Sequence, residues 1–96
     1  SRRVAQTLAN CITQAVGARP WRIVITGKYR ENLHATAYPE TRTIHLHKKG
    51  ENVGTLIHEL AHESISEGHG PVFKARETAY ARIVLALTQG TKEEPR

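Results

Sequence analysis

HELAHESISEGHGP, running from His58 to Pro71, is the stretch on which the reading of this chain turns. Nowhere else do side chains of one reactive class recur at a spacing that chemistry demands. If the stretch is helical, His58 and His62 differ by only about 40° around the axis and stack one turn apart, so two imidazoles converge on one point. Glu59 lies about 100° round from His58, badly placed to share a metal ion but near enough to touch a water bound to it. This is the His-Glu-x-x-His spacing of a zinc site on a helix.

Two histidines leave a tetrahedral zinc one protein ligand short of the three-plus-water set of catalytic sites. Past Ser66 the chain reads EGHGP, in which Gly68 can adopt the left-handed conformation that stops a helix and turns the next residue back. His69 is the expected third ligand. An i, i+4 histidine pair also occurs by chance on a solvated helix face. What weighs against chance is a third histidine just beyond a glycine stop in so short a chain. A carboxylate on the following helix, such as Glu77, is the alternative third ligand, with His69 then assisting.

Working outward, 96 residues make a single domain, 1–96, with one core and little to spare. Cys11 is the only cysteine, so no internal disulfide forms. Its setting, LANCI, reads as a small buried position on a helix and not as a nucleophile. No apolar run approaches the roughly 18 residues that span a bilayer, and no charged start leads into an apolar stretch as in a signal peptide. A soluble, cytoplasmic protein with no membrane partner is expected.

The net charge of +5 is unevenly spread. Residues 1–50 hold nine Lys or Arg against two Glu, and residues 51–96 hold five against seven. The basic half, with Arg2, Arg3, Arg19, Arg22, Lys28, Arg30, Arg42, Lys48 and Lys49, can attract DNA or an acidic protein, or simply be a solvated surface. With one Phe, three Tyr and one Trp, no platform for stacking single-stranded bases is evident.

In chain order, residues 4–16 place Val4, Leu8, Cys11, Ile12, Ala15 and Val16 at helical spacing, and Gly17 and Pro20 end the helix. Residues 21–26 are rich in β-branched residues and close on Gly27, with Trp21, Ile23 and Ile25 on one face. Residues 34–38 alternate and run into the turn 39–42. Residues 43–47 alternate again, with Ile44 and Leu46 on one face and Thr43, His45 and His47 on the other. His34, His45 and His47 read as bystanders on polar strand faces, better placed to touch substrate than to bind metal. The economical sheet is a three-stranded antiparallel meander.

Asn52 caps a helix expected over 53–66, with Val53, Leu56, Ile57, Leu60, Ala61 and Ile65 as its apolar stripe. Pro71 opens a last helix carrying Val72, Phe73, Tyr80, Ile83, Val84 and Leu87 to about Thr88, with Gly90 as its stop and 91–96 as a frayed tail. The fold class is α+β, in the order α-β-β-β-α-α, with a mostly antiparallel sheet.

The chemistry expected of such a site is amide hydrolysis without a covalent intermediate, Glu59 serving as general base beside a zinc ion held by His58, His62 and His69. Strand 43–47 is expected to rim the cleft and pair with an extended peptide. The alternative is a binding module for nucleic acid or protein that keeps zinc for stability and turns nothing over.

The strand TIHLH at 43–47, the helix segment LIHELAH at 56–62 and HGPVF at 69–73 together resemble the SprT-like (Spartan-like) zinc metallopeptidases, whose His-Glu-x-x-His is followed by a histidine in a His-Gly-x-x-Phe setting. The resemblance spans about residues 43–74. It implies a minimal zincin fold with Zn2+ on His58, His62 and His69, Glu59 as base, and a protein substrate. The family's best-known members are DNA-dependent proteases that clear proteins crosslinked to DNA. Two features depart from the family: the spacer between His62 and His69 is short, and no four-cysteine zinc ribbon follows.

Overall fold

The computed structural model describes residues 1–31, 33–62 and 69–92. The elements follow in the order α1 (Arg2–Val16), β1 (Arg22–Ile25), β2 (Ala35–Tyr38), β3 (Thr43–Leu46), a 3-10 turn (Lys48–Gly50), α2 (Val53–Ala61) and α3 (Pro71–Lys92). This is a small α+β domain with three helices and a three-stranded mixed sheet, in the helix and strand order expected.

The meander does not form. The sheet order is β1-β3-β2, with β3 parallel to β1 and antiparallel to β2. The central place goes to the strand best suited to burial on both sides. In β3, Thr43, Ile44 and Leu46 are buried, whereas β2 offers the short, half-buried Ala35, Thr36 and Ala37 and an exposed Tyr38. From β1 the chain passes to the far edge as β2, and the tight 39–42 turn brings it back between its neighbours. Arg42 closes that turn at φ 53, a left-handed conformation costly for a residue with a Cβ. Its guanidinium lies 4.3 Å from the centroid of the Trp21 ring and also hydrogen-bonds the Arg19 carbonyl, contacts that offset the strain.

Ser1 caps α1, its hydroxyl accepting from the Val4 N–H at 3.3 Å, and Gly17 at φ 71 ends the helix as expected. The buried face is only partly the one expected: Ile12 and Leu8 face the core, but the ends of the stripe do not. Val4 and Val16 are exposed, while Ala9, Ile12 and Thr13 are buried, with Ala5 and Leu8 partly so. The small side chains of Ala5, Ala9 and Thr13 line up at i, i+4, i+8, which lets the helix lie close against its neighbours. The Thr13 hydroxyl is satisfied within the helix by the Ala9 carbonyl at 3.1 Å. Cys11 is a half-buried free thiol.

Gln6 on α1 makes a further contact that periodicity does not reveal. Its amide nitrogen donates to the Trp21 carbonyl at 2.7 Å, and its amide oxygen accepts from the Ile23 N–H at 2.9 Å. The outer edge of β1 is thereby occupied over its first half, and a side chain has taken the place of a neighbouring strand.

The core is built from Ile12, Trp21, Ile23, Ile44, Leu46, Leu56, Leu60, Phe73 and Tyr80, with α1 and α2 packed on the sheet and α3 packed on both helices. Asn52 caps α2 as expected, accepting from the Thr55 N–H at 2.8 Å. Gly50, just before it, is buried where a Cβ would run into the His34 carbonyl, so β2 and the start of α2 come together only through a glycine. Helix α2 is shorter than expected: it ends at Ala61, with His62 as its C-cap, and Val53 is exposed instead of contributing to the stripe. Glu63 to Gly68, including the expected Gly68 stop, lie outside the described residues. Pro71 opens α3 as expected, but the helix continues through Gly90 to Lys92. Phe73, Tyr80, Ile83 and Val84 turn toward the core as expected, whereas Val72 and Leu87, also expected in that stripe, are exposed, as is Leu85 on the outer face. Residues 93–96 lie outside the described residues. Among the described residues no helix is long and apolar enough to cross a membrane.

Candidate metal centre

The end of α2 and the start of α3 bring together the three histidines singled out by spacing. His58 sits within α2, His62 caps it, and His69 stands two residues ahead of Pro71. Their ring centroids are 4.8 Å apart for His58 and His62, 4.9 Å for His58 and His69, and 4.7 Å for His62 and His69. One ligand nitrogen from each lies within 4.8 Å of the others, so the three can hold a metal ion. The Nε2 atoms of His62 and His69 are only 2.9 Å apart. Nitrogens at the vertices of a tetrahedron around zinc, each about 2.0–2.1 Å from it, are separated by about 3.3 Å. The His62–His69 pair is thus slightly closer than such a geometry asks, and the three imidazoles together could hold a metal ion.

Phe73 forms the floor of the cluster. It is 2% exposed, and its ring centroid lies 5.1 Å from that of His58, 4.5 Å from His62 and 4.8 Å from His69. The same α3 face carries Glu77 one turn on, with Oε2 3.2 Å from His58 Nδ1. Between them, Arg76 Nη1 donates to the Ala61 carbonyl at 2.8 Å, tying α3 to the last turn of α2 beside His62. That carbonyl is one of those a helix end leaves without an internal partner.

The surroundings of His62 favour its neutral form. Burial lowers the pKa of His62 from 6.5, the charges of His58 and His69 lower it further, and Glu77 opposes them. A neutral imidazole keeps the lone pair a metal needs. Burial raises the pKa of Glu59 above the ordinary carboxylate value, and His58 and His69 pull it back. Glu59 thus lies within electrostatic reach of two of the three histidines.

The remaining histidines divide. His34 is exposed. His45 stacks edge-on against Tyr38, with centroids 4.9 Å apart, and lines a shallow groove on the other face of the sheet with Arg22, Val24, Thr41 and Thr43. His47 is no solvated bystander: it is 4% exposed, and its Nδ1 and Nε2 meet the hydroxyls of Thr26 at 3.1 Å and Thr36 at 2.9 Å. Burial lowers its pKa, helped by Arg30 and His45.

Sequence reasoning finds the three histidines and Glu59 but misses the floor, the Arg76 tie and the partner of Glu77. A signal exists for the last of these. Phe73, Glu77 and Tyr80 stand at i, i+4, i+7, so a carboxylate interrupts the stripe that α3 turns toward α2. No family model, curated protein or solved structure matches the chain.

Proposed function

We propose that this domain is a small zinc-dependent peptidase. The observation that carries the reading is the convergence of His58, His62 and His69 on one point, with Glu59 one residue along the same helix and its carboxyl pKa raised by burial. Zinc bound there supplies Lewis acidity and brings the pKa of a bound water down to about 7. Glu59 accepts the proton of the attacking water on its carboxylate, a transfer that a raised pKa favours, and returns it to the departing amine nitrogen. Phe73 keeps water from the inner side of the cluster.

The sheet topology revises where a peptide would bind. Strand β3, expected to take it, has a neighbour on each side, and β1 is partly occupied by Gln6. The remaining edge is β2, which belongs to the part of the sheet that α2 packs against. An extended peptide aligned there would pair with the outward backbone groups of Ala35 and Ala37. The likeness to SprT-like peptidases and the basic first half, with Arg22 on the groove beside Tyr38 and His45, support a substrate among DNA-associated proteins.

A second reading has one observation in its favour. The histidines join the end of α2 to the start of α3, as a metal retained only for stability would. Substituting Glu59→Gln separates the two, with zinc measured by elemental analysis and turnover on fluorogenic peptides with and without single-stranded DNA. The peptidase reading expects equimolar zinc in both proteins and turnover reduced about 100- to 10,000-fold in the variant. Zinc in both with the same hydrolysis rate would rule Glu59 out as the base.

A further inference from the structure

The geometry points to Glu77 as the positioning residue of the metal centre, the carboxylate that fixes the tautomer and ring angle of His58 so that Nε2 is the atom presented to the metal. The inference rests on the metal reading above and goes beyond it, because spacing alone leaves Glu77 as a rival ligand.

An imidazole has two nitrogens, and in its neutral form only one carries a lone pair. An ionised carboxylate accepts hydrogen bonds and donates none. With Glu77 Oε2 3.2 Å from His58 Nδ1, the proton of a neutral His58 belongs on Nδ1. Nε2, across the ring, is then left as the free donor. A carboxylate on one ring nitrogen with the opposite nitrogen left for the metal is the arrangement of an outer partner to a metal-bound histidine.

The fold supports the carboxylate in turn. Glu77 lies one helical turn beyond Phe73, whose buried ring packs against that of His58, so α3 brings both to the same imidazole. Arg76 anchors this part of α3 to the Ala61 carbonyl. His58 and Glu77 are each 37% exposed, so solvent screens the pair and it adds little to folding. The effect to look for is on the metal, not on the stability of the metal-free chain.

The test compares the parent with Glu77→Ala, Glu77→Gln and His58→Ala. Zinc affinity is read by competition with a chromogenic chelator, metal-free stability by thermal melting, and the His58 tautomer by nitrogen NMR of the metal-free proteins. Glu77→Ala is expected to weaken zinc binding about 10- to 100-fold, the usual cost of losing an outer partner. Glu77→Gln recovers part of that, because its amide oxygen still accepts from Nδ1. The His58 ring shifts from the Nδ1–H form toward a mixture in the alanine variant only, and the metal-free melting temperatures stay together.

Unchanged zinc affinity and tautomer in Glu77→Ala would overturn the assignment while leaving the metal site intact. Loss of zinc as complete as in His58→Ala would overturn it the other way, making Glu77 a ligand. A parent protein that takes up no zinc overturns the metal reading, and this role with it.

Discussion

Two groups of imidazoles in this small domain have opposite surroundings. His47 is buried between two strands with a threonine hydroxyl on each ring nitrogen. His58, His62 and His69 are partly open to solvent and turn nitrogens toward one another. Hydroxyls both donate and accept, so either neutral tautomer of His47 is satisfied and no lone pair is left for a metal. Among the other three, one N–H···N bond can join His62 to His69 and Glu77 can take the proton of His58, which still leaves lone pairs turned toward one point where a cation could lie.

The sharpest way to break this contrast is to remove one imidazole from each group. His62→Ala should weaken zinc binding by more than about 100-fold, beyond the cost of losing an outer partner, as measured by chelator competition. His47→Ala should leave zinc affinity where it was and destabilise the fold by about 2–3 kcal/mol in urea titration, through the void and the stranded hydroxyls of Thr26 and Thr36. If His47→Ala lost zinc and kept its stability, the two groups would have been assigned the wrong way round.

Acid tests a property that the two groups share. His47 and His62 both have pKa values lowered from 6.5 by burial, so around that pH the unfolded chain binds protons that the folded chain refuses. Stability of the metal-free protein should be fully present above about pH 6.5 and decline as the pH falls toward the folded-state values. In a His47→Gln protein the decline should be shallower by the share that His47 contributes. Parallel curves would show that His47 is no more reluctant to charge than an exposed histidine. The smallest effect is expected at Gln6→Ala, about 1 kcal/mol for its two hydrogen bonds to β1, with zinc binding unaltered.

Local signals were legible from residue types alone. The Asn52 cap, the Gly17 stop, the Pro71 start and the i, i+4 histidines are each written within a few neighbouring residues, and each appears where expected. Non-local choices were not. The place of β3 between β1 and β2 depends on how well three strands compete for burial, and the Thr26–His47–Thr36 contact joins residues from separate parts of the sheet. On α1, the count of large apolar residues favoured Val4 and Val16, whereas close packing favoured Ala5, Ala9 and Thr13. The floor under the cluster was hidden for the same reason: Phe73 reads as one more core residue until α3 is laid against α2.

The Gln6 contact has a consequence for assembly. A sheet with two free margins can polymerise without limit, each added copy offering a fresh margin to the next. In this domain one margin is partly filled by its own glutamine, which leaves the backbone row of Ala35 and Ala37 as the better template. Two copies meeting along that row would use up both templates at once. Growth would then stop at a pair, and the same pairing would shut out any peptide aligned there.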